Sequence, residues 1–218
     1  LEKKNIKKAL KGLDTIIHCA AINGTKNFYN NPSLVLDVGV AGLINLVESC
    51  KDKKIDNFFL ASSSEVYHLP KQIPTSEKVK MVIPDVYNPR YSYAGSKIFS
   101  ELYAIHKCSK IFKRTVIFRP HNVYGSNMGS DHVIPELIIK GKKRGNDLRI
   151  QGSGSETRSF IHINDFIMAF DIILNKGKNL NIYNIGTMER VTIKKLSKMI
   201  LKNLGSKKRI RFGKLAKG

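Results

Sequence analysis

Cysteine is scarce in this chain of 218 residues, in which only Cys19, Cys50 and Cys108 occur. The three are an odd number and lie far apart, so neither a disulfide framework nor a metal-binding cluster follows from them. We therefore predict no metal site. We also expect three buried thiols, of the kind found in proteins of reducing compartments.

Long apolar runs are also missing from the sequence. No stretch approaches the ~20 apolar residues that a membrane-spanning helix needs, and no signal-peptide pattern is visible in the residues given. Hydrophobic residues make up 42% of the chain and charged residues 25%, which is typical of a globular protein in water. We expect a cytoplasmic location and no membrane partner.

Acidic residues are few compared with basic ones. The chain has 17 aspartates and glutamates against 38 lysines and arginines, which gives a formal net charge of +21. Such a charge raises the alternative of a non-catalytic or basic nucleic-acid-binding protein. The lysines, however, are scattered through every segment and form no arginine-rich stripe interleaved with aromatics. A compositional bias explains this more simply, so we expect no nucleic-acid partner, although the excess charge can steer an anionic substrate.

Tyr93 and Lys97 are the most informative residues that are present. They lie four positions apart, so on a helix they project from the same face. A phenol has a reference pKa of about 10, and a lysine ammonium held nearby favours the phenolate and lowers that pKa. Upstream, an apolar run that ends in Ser62, Ser63 and Ser64 supplies a hydroxyl that can orient an alcohol. This combination is what proton abstraction from an alcohol during hydride transfer requires.

Five ordered segments resemble the short-chain dehydrogenase/reductase superfamily, in its extended branch of NAD-dependent nucleotide-sugar epimerases and dehydratases. One is the Tyr93–Lys97 pair with its upstream serines, and the others are segments 12–21, 118–125, 151–162 and 182–186. The match covers nearly the whole chain. It implies an α/β fold with a Rossmann-type doubly wound parallel sheet and a small interwoven substrate-binding lobe.

The glycine-rich turn that opens this family has no counterpart in the chain. That turn follows the first strand and holds the cofactor pyrophosphate. We interpret the chain as an internal fragment that lacks the N-terminal βαβ unit, roughly 60 residues. Residues 1–127 are then a partial NAD(P)-binding Rossmann domain. Residues 128–218 are mostly substrate-binding region, with segments near 159–175 returning to the Rossmann domain.

The resemblance also implies roles for single residues. Ser63, Tyr93 and Lys97 would be catalytic, and Glu65 would be either a second acid/base or a partly exposed carboxylate that binds a sugar hydroxyl. The residues implied to contact NAD, with NADP as the alternative, are His18, Ala20, Ala21, Ser62, Tyr93, Lys97 and Pro120. The residues implied to contact the substrate are Ser63, Ser64, Asn122, Val133 and Arg158. His18 could instead be a core histidine, and Arg158 could instead form a surface ion pair.

Two long helices are predicted at residues 32–51 and 91–109. Both are apolar on more than one face, which is typical of helices buried on two sides. The corresponding helices of the family form a dimer contact, so the resemblance implies a homodimer through them. Gly39 lies within the first helix, at a position where the family usually has asparagine, and we infer no proton relay there.

The activity implied by the resemblance is 4-epimerisation of a nucleotide-diphosphate sugar through a transient 4-keto sugar. Tyr93 would take the proton of the C4 hydroxyl with help from Ser63. A 4,6-dehydratase or decarboxylase starts with the same oxidation and afterwards needs a further base, for which Glu65 is the candidate. Ser64 stands where many dehydratases have aspartate, which favours the epimerase. The sequence chooses neither the nucleotide nor the sugar.

Overall fold

The computed structural model describes residues 3–213 of the chain. The helices in this range are α1 (Lys3–Ala9), α2 (Thr25–Asn30), α3 (Pro32–Leu36), α4 (Gly42–Cys50), α5 (Ser92–His106), α6 (Val133–Lys142), α7 (Ile163–Lys176) and α8 (Ile193–Asn203). The strands are β1 (Thr15–His18), β2 (Asn57–Ala61), β3 (Arg114–Pro120), β4 (Val123–Tyr124), β5 (Asp147–Gln151), β6 (Thr157–Arg158), β7 (Ile161–His162), β8 (Ile182–Ile185), β9 (Val191–Thr192) and β10 (Arg209–Gly213).

Four parallel strands form the central sheet, in the order β1-β2-β3-β8. The register places Phe59 of β2 between Ile17 of β1 and Val116 of β3. The runs that form these strands are almost continuously apolar, as expected for parallel strands that are covered on both faces. The α/β class and the Rossmann-type parallel sheet predicted from the sequence are confirmed.

Helices cover both faces of this sheet. On one face Phe58 and Leu60 belong to a buried cluster that includes Leu43 of α4. On the other face the ring of Phe59 packs against Phe170 of α7, with 6.1 Å between ring centroids. Successive side chains point to opposite faces of a strand, so the adjacent residues Phe58 and Phe59 pack against helices on opposite faces of the sheet. This double burial fixes the end of β2, where the candidate site lies.

The helix predicted at 32–51 is observed as a continuous helical stretch, with a π-helical segment, Asp37–Ala41, between α3 and α4. Among the described residues, Pro32–Cys50 is the single helix that is long and apolar enough to cross a membrane, with a mean hydropathy of 1.5. The expectation that no segment approaches this limit is therefore wrong. The finding is weak evidence for a membrane span, because core helices meet the same criterion, and α3 packs against α5 here.

The described residues divide into two compact units. The first contains residues 3–120 and Ile167–Ile185, and the second contains His121–Phe166 and residues 186–213. Within the second unit β5 pairs with β10 and β4 with β7 in parallel, and β6 pairs with β9 antiparallel. Its core is a separate cluster around Leu148 and Leu196. The assignment of cofactor binding to residues 1–127 and of substrate binding mostly to residues 128–218 stays a prediction.

Some elements differ from the pattern of the sequence. Residues 157–162, part of a segment that resembles the family, form two short strands, β6 and β7, because each pairs with a different partner. Strand β10 was not predicted, since its basic residues are typical of solvated surface. Arg209 and Arg211 of this strand lie 3.4 and 3.3 Å from the Asp147 carboxylate. These ion pairs join segments that are distant in the sequence, so no local pattern predicts them.

The cysteines follow the prediction only in part. Cys50 and Cys108 are buried free thiols, as expected. Cys19 is exposed, and the prediction of burial is wrong for it. The reason is its position directly after β1, where the chain leaves the sheet.

Candidate active site

The end of β2 places the predicted serines at the carboxyl edge of the central sheet. Ser62 is held there by its backbone N–H, which donates to the Phe118 carbonyl of β3 at 2.8 Å. Ser63 precedes a short 3-10 turn and caps it, because its hydroxyl accepts the backbone N–H of Glu65 at 3.2 Å. Ligands of open α/β sheets bind outside this edge. The serines therefore stand where a substrate can reach them.

Helix α5 brings Tyr93 and Lys97 to the same edge. Both side chains are buried, and the Ser63 hydroxyl lies within hydrogen-bonding reach of the Tyr93 phenol. The Lys97 ammonium donates to the Ala61 carbonyl at 2.7 Å and lies 5.6 Å from the centroid of the Tyr93 ring. The structure thus brings together the three residues that the sequence predicts to be catalytic.

Burial dominates the acidity of Tyr93 in the chain on its own. It raises the pKa of the phenol to about 12, while the hydrogen bond with Ser63 acts to lower that pKa and the Glu65 carboxylate acts to raise it. The expectation that Lys97 brings the pKa below that of a free phenol is therefore wrong for this state. The loss of hydration outweighs the field of an ammonium that lies 5.6 Å from the ring.

Lys97 shares its surroundings with the end of β1. Burial lowers the pKa of Lys97 to about 8, and Cys19 and Glu101 act to raise it. His18 is buried and stacked on Phe58, with 6.3 Å between ring centroids, and its pKa is lowered to about 4 by burial and then by Lys97. A neutral imidazole packed on a phenylalanine agrees with the core-histidine interpretation. Its proximity to Lys97 also places it beside the group predicted to hold the cofactor.

Small residues continue the chain after β1, where the cofactor is expected to approach the backbone. Ala20 is exposed, and Ala21 is half-buried against the cluster that contains Phe28 and Tyr93. The Phe28 ring stacks on that of Tyr93 at 5.2 Å between centroids. Pro120 ends β3 at the same edge of the sheet and is half-buried. The short side chains leave the backbone after β1 accessible to a ligand.

Ser64 and Glu65 form the turn that follows Ser63. Ser64 is half-buried, whereas the side chain of Glu65 is 44% exposed and its carboxylate lies 3.8 Å from the Arg90 guanidinium. A long and partly exposed ion pair of this kind contributes little to stability. The field of the Glu65 carboxylate nevertheless reaches Tyr93, whose pKa it acts to raise. The role of Glu65, as a second acid/base or as a carboxylate that binds a sugar hydroxyl, therefore stays a prediction.

The other predicted substrate contacts lie in the second unit. Asn122 has a left-handed backbone (φ 40) and its amide donates to the Ser159 carbonyl at 2.9 Å. Val133 is the first residue of α6 and packs on the core of this unit. Arg158 is exposed in β6, and its guanidinium donates to the Thr157 carbonyl at 3.1 Å. Asn122 thus fixes the segment next to Arg158, whose remaining donors suit phosphate oxygens.

Comparison with known proteins agrees with this geometry. Residues 1–186 match the model of the NAD dependent epimerase/dehydratase family. The chain belongs to this family. It is 31% identical over 202 residues to a dTDP-D-glucose 4,6-dehydratase of Dictyostelium discoideum, covering 87% of this chain and 44% of that protein. It is 32% identical over 205 residues to a dTDP-4-dehydro-6-deoxy-D-allose reductase of Streptomyces bikiniensis, covering 92% and 62%. The chain thus spans about half the length of these curated relatives.

Solved structures show the same epimerase/dehydratase fold. A UDP-glucuronic acid 4-epimerase from Bacillus cereus in complex with NAD aligns with a TM-score of 0.81 at 27% identity, covering 98% of this chain and 68% of that one. A dTDP-glucose 4,6-dehydratase from Streptomyces venezuelae with NAD bound aligns with a TM-score of 0.87 at 24% identity, covering 99% and 65%. The second likeness shows the fold alone.

Gly39 is where the chain departs from the epimerase/dehydratase family, which usually has asparagine there. Gly39 is buried in the π-helical segment between α3 and α4, and a Cβ on it would lie within 3 Å of the Ser96 side chain of α5. An asparagine would have to displace Ser96, which lies next to Lys97. In this chain the helical stretch around Gly39 therefore packs directly against Ser96 of α5. Segments of π-helix are frequent at functional sites.

Sequence reasoning missed two buried residues next to the candidate site, Glu101 and Arg119. They form an ion pair in which Arg119 Nη2 lies 2.5 Å from Glu101 Oε2, with side-chain exposures of 2% and 0%. The other carboxylate oxygen of Glu101 accepts the hydroxyl of Ser62. A signal was present in the sequence, because Glu101 continues the helix face of Tyr93 and Lys97 by one turn. Arg119 likewise interrupts an apolar strand, where an arginine is rarely buried unless it is paired.

Proposed function

We propose that the intact protein is an NAD-dependent nucleotide-sugar 4-epimerase, which oxidises C4 of the sugar to a transient ketone and then reduces it. The observation that carries this proposal is that the buried Tyr93 phenol, the Ser63 hydroxyl within hydrogen-bonding reach of it and the Lys97 ammonium lie together at the end of β2. Membership of the epimerase/dehydratase family supports chemistry on a nucleotide-linked sugar. Because the chain spans only part of its relatives, the activity is proposed for the intact protein.

Residues at the ends of β1, β2 and β3 and on α5 fit a nicotinamide cofactor. Lys97 presents a buried ammonium that the Ala61 carbonyl fixes, and its other N–H donors suit ribose hydroxyls. The exposed Ala20, directly after β1, leaves the backbone there open to a ligand. Bound there, NAD supplies a reversible two-electron oxidant for C4. The residues proposed to hold it are His18, Ala20, Ala21, Ser62, Tyr93, Lys97 and Pro120. NADP is the alternative, because the ribose-reading segment that follows the glycine-rich turn has no counterpart in this chain.

Tyr93 is the residue proposed to move the proton of the C4 hydroxyl. With a pKa raised to about 12 by burial, its phenol is protonated at neutral pH and is ready to donate to a ketone. For the opposite direction the phenolate has to be favoured, and the Lys97 ammonium supplies positive charge for this. The Ser63 hydroxyl can bond to the phenol and to the C4 oxygen at once, since a hydroxyl both donates and accepts. Ser63 therefore orients the substrate toward the phenol.

Ser64 favours epimerisation over elimination. Loss of water across C5 and C6 needs a base for the C5 proton and an acid for the C6 hydroxyl, which is general acid–base work for two groups. Ser64 offers no carboxylate for the second role. Epimerisation needs exchange at C4 only, so Ser63, Tyr93 and Lys97 suffice. The likeness to a UDP-glucuronic acid 4-epimerase structure at 27% identity agrees with this choice.

Glu65 favours a second candidate, a nucleotide-sugar 4,6-dehydratase or decarboxylase. Its carboxylate lies close enough to Tyr93 to raise the pKa of the phenol. A carboxylate beside the C4 site can abstract the C5 proton once the 4-ketone has made that proton acidic. A 4,6-dehydratase is among the curated relatives at 31% identity. The two candidates share the first step and differ in the fate of the 4-keto sugar.

We propose a nucleotide-diphosphate sugar as the substrate, with the diphosphate bound by Arg158 and Asn122 and with Ser64 and Val133 in contact with the rest. The exposed guanidinium of Arg158 suits bidentate contact with phosphate oxygens.

Within the first unit, exposed leucines on α3 and α5, Leu34 and Leu102 among them, support a homodimer through residues 32–51 and 91–109. A cytoplasmic location remains part of this proposal.

Product analysis of the intact protein tests the proposal. The protein is incubated with NAD and a panel of UDP- and dTDP-linked hexoses and hexuronic acids, and the sugar products are identified by NMR. A 4-epimer of the substrate supports the 4-epimerase, and a 4-keto-6-deoxy sugar or a decarboxylated sugar supports the second candidate. If neither appears, and no NAD is reduced with any sugar of the panel, the non-catalytic alternative gains support.

A further inference from the structure

Three successive turns of α5 hold three successive residues at the end of β2. The Tyr93 phenol lies within hydrogen-bonding reach of the Ser63 hydroxyl, and the Lys97 ammonium donates to the Ala61 carbonyl at 2.7 Å. Glu101, one turn further along the same helix face, accepts the hydroxyl of the middle residue. The first two contacts belong to the proposed catalytic arrangement of Ser63, Tyr93 and Lys97. The contact between Glu101 and Ser62 does not.

Glu101 is itself held rigidly. Arg119 binds its carboxylate with two nitrogens, Nε at 2.8 Å from Oε1 and Nη2 at 2.5 Å from Oε2. Neither residue is reached by water, since their side chains are 0% and 2% exposed. A bidentate pair of this kind fixes the direction of the carboxylate as well as its charge. The Ser62 hydroxyl therefore donates to a carboxylate whose orientation is fixed.

Arg119 is also fixed from its far side. Its Nη1 donates to the Tyr67 hydroxyl at 2.5 Å and to the Glu77 carbonyl at 3.1 Å. Tyr67 in turn donates to the Asn184 side-chain oxygen of β8 at 2.8 Å. A buried ion pair is often no more stable than apolar residues of the same volume. A network that joins the end of β2 to β3, β8 and α5 is consistent with a role in positioning the side chains of the candidate site, and not in stability alone.

The Glu101 carboxylate also acts electrostatically on the Lys97 ammonium. The groups that face Lys97 are His18 and Cys19 from the end of β1, together with Tyr93 and Glu101 on its own helix. Burial keeps His18 neutral at pH 7, because it lowers its pKa to about 4, and burial raises the pKa of the Cys19 thiol. Glu101 is thus the anion among these groups, and it acts to keep Lys97 protonated.

We propose that Glu101 is a positioning residue, which holds Ser62 by its hydroxyl and so keeps Ser63 in register with Tyr93. It touches neither the substrate nor the cofactor, and it acts through the 61–63 stretch and through the charge of Lys97. Its part in catalysis rests on the function proposed above. Its part in placing Ser63 and Lys97 can be measured without any substrate.

The test uses the intact protein and three variants. Glu101→Gln removes the charge and keeps the shape, whereas Ser62→Ala removes the hydroxyl and leaves the ion pair with Arg119 intact. Ser49→Ala is the matched control, because Ser49 is equally buried and its hydroxyl donates only within α4, to the Asn45 carbonyl at 2.7 Å. Each protein is examined by thermal unfolding and by NMR of ¹³C-labelled tyrosine and lysine side chains, with Tyr93→Phe and Lys97→Met assigning the signals.

Without substrate, Glu101→Gln should shift the titration of Lys97 to lower pH, because the carboxylate that raises the Lys97 pKa is gone. Ser62→Ala should leave that titration in place but move the Tyr93 ring signal. The control should change neither signal. If the intact protein is active, both variants should lose about 10-fold in kcat with little change in KM, as expected for a small misplacement of reacting groups.

The proposal is overturned if folded Ser62→Ala leaves the Tyr93 signal and kcat as in the wild type. Ser62→Ala carries this decision even when Glu101→Gln does not fold, because it introduces no unpaired charge. An intact protein that is inactive on every sugar, but whose Tyr93 and Lys97 signals shift as expected, would sink the proposed function and leave the positioning role of Glu101 standing.

Discussion

Gly39 and Ser96 are in contact across two helices with no space for a methyl group between them. A Cβ on Gly39 would lie 2.7 Å from Ser96 Oγ and 2.8 Å from Ser96 Cβ. Both residues belong to the layer that carries the catalytic face, because Ser96 is buried on α5 between Tyr93 and Lys97 in sequence and donates to the Tyr93 carbonyl at 2.8 Å. The spacing of α3–α4 from α5 is therefore set by a glycine.

Gly39→Ala should destabilise the protein by about 1–3 kcal/mol, the usual cost of overpacking a filled core. The measurement is urea unfolding at pH 7. Gly95→Ala is the matched control on α5, since a Cβ there would meet only Ile83 Cδ1 at 4.0 Å and alanine favours helix. Ser96→Gly in the Gly39→Ala background should recover part of the loss, whereas Ser96→Ala, which keeps its Cβ, should not. Equal stabilities of Gly39→Ala and the wild type would contradict the contact.

Tyr93→Phe should keep the fold and lose about 10²-fold or more in turnover, the usual scale for a positioned acid–base group. The hydroxyl is the only group removed, and the stacking of the ring on Phe28 at 5.2 Å is kept. Steady-state kinetics of the intact protein on its best nucleotide-sugar provide the measurement. Tyr103→Phe, on the same helix, is the control and should retain activity. Near-wild-type turnover of Tyr93→Phe would remove this residue from the mechanism.

His18 should make stability depend on acid pH. Burial lowers its pKa from 6.5 to about 4, so below pH 6.5 the unfolded chain binds a proton that the folded chain does not. Stability contributed by the neutral imidazole is therefore lost as pH falls from 6.5 toward 4, by on the order of 3 kcal/mol. Urea unfolding of wild type and His18→Gln at pH 7 and pH 4.5 measures this difference.

The variant His18→Gln should lose less stability than the wild type between these two pH values, because glutamine does not titrate. His106→Gln, at an exposed position near the end of α5, is the control and should follow the wild type. A parallel loss of stability in wild type and His18→Gln would show that His18 is accessible to protons in the folded chain.

Glu65→Gln separates the two enzymatic candidates. In a 4-epimerase the substitution should lower activity modestly and leave the products as 4-epimers, because no proton is taken from C5. In a 4,6-dehydratase it should stop the reaction at the oxidised 4-keto hexose, since elimination needs a base at C5. Products are identified by NMR, with Arg90→Gln as the control that removes the ion-pair partner of Glu65 at 3.8 Å. A wild type that releases a 4-keto-6-deoxy sugar would refute the epimerase.

Nucleic-acid binding should be weak despite the net charge of +21. In the second unit several lysines line an open cavity of about 510 Å³ between α8 and β10, among them Lys194, Lys198 and Lys202. Fluorescence titrations with duplex and single-stranded DNA and RNA, at 50 and 200 mM salt, test this surface. Micromolar or tighter binding that falls steeply with salt, and that Lys198→Glu with Lys202→Glu abolishes, would favour the nucleic-acid alternative.

Local patterns in the sequence were enough to predict the strands and helices that carry the candidate site. The apolar run before Ser62 is buried on both faces, as its almost continuous apolar residues predict for a parallel strand. Tyr93 and Lys97 share a helix face because four residues make about one turn. The resemblance to the family predicted that this helix face lies against the end of β2. The structure adds the distances between the side chains involved. The same helix period already marked Glu101, although its partner could not be inferred.

Only the tertiary structure decided which groups meet and what that does to their charges. Arg119 and Glu101 lie 18 positions apart and pair because β3 and α5 pack together, a contact that no local period contains. The pKa of Tyr93 rises because the fold removes water from the phenol, an effect of burial that outweighs the nearby lysine that the sequence made visible. Gly39 became informative only once Ser96 was found against it. Short-range patterns fix which face of an element is apolar, whereas hydration and ion pairing depend on what the fold brings against that face.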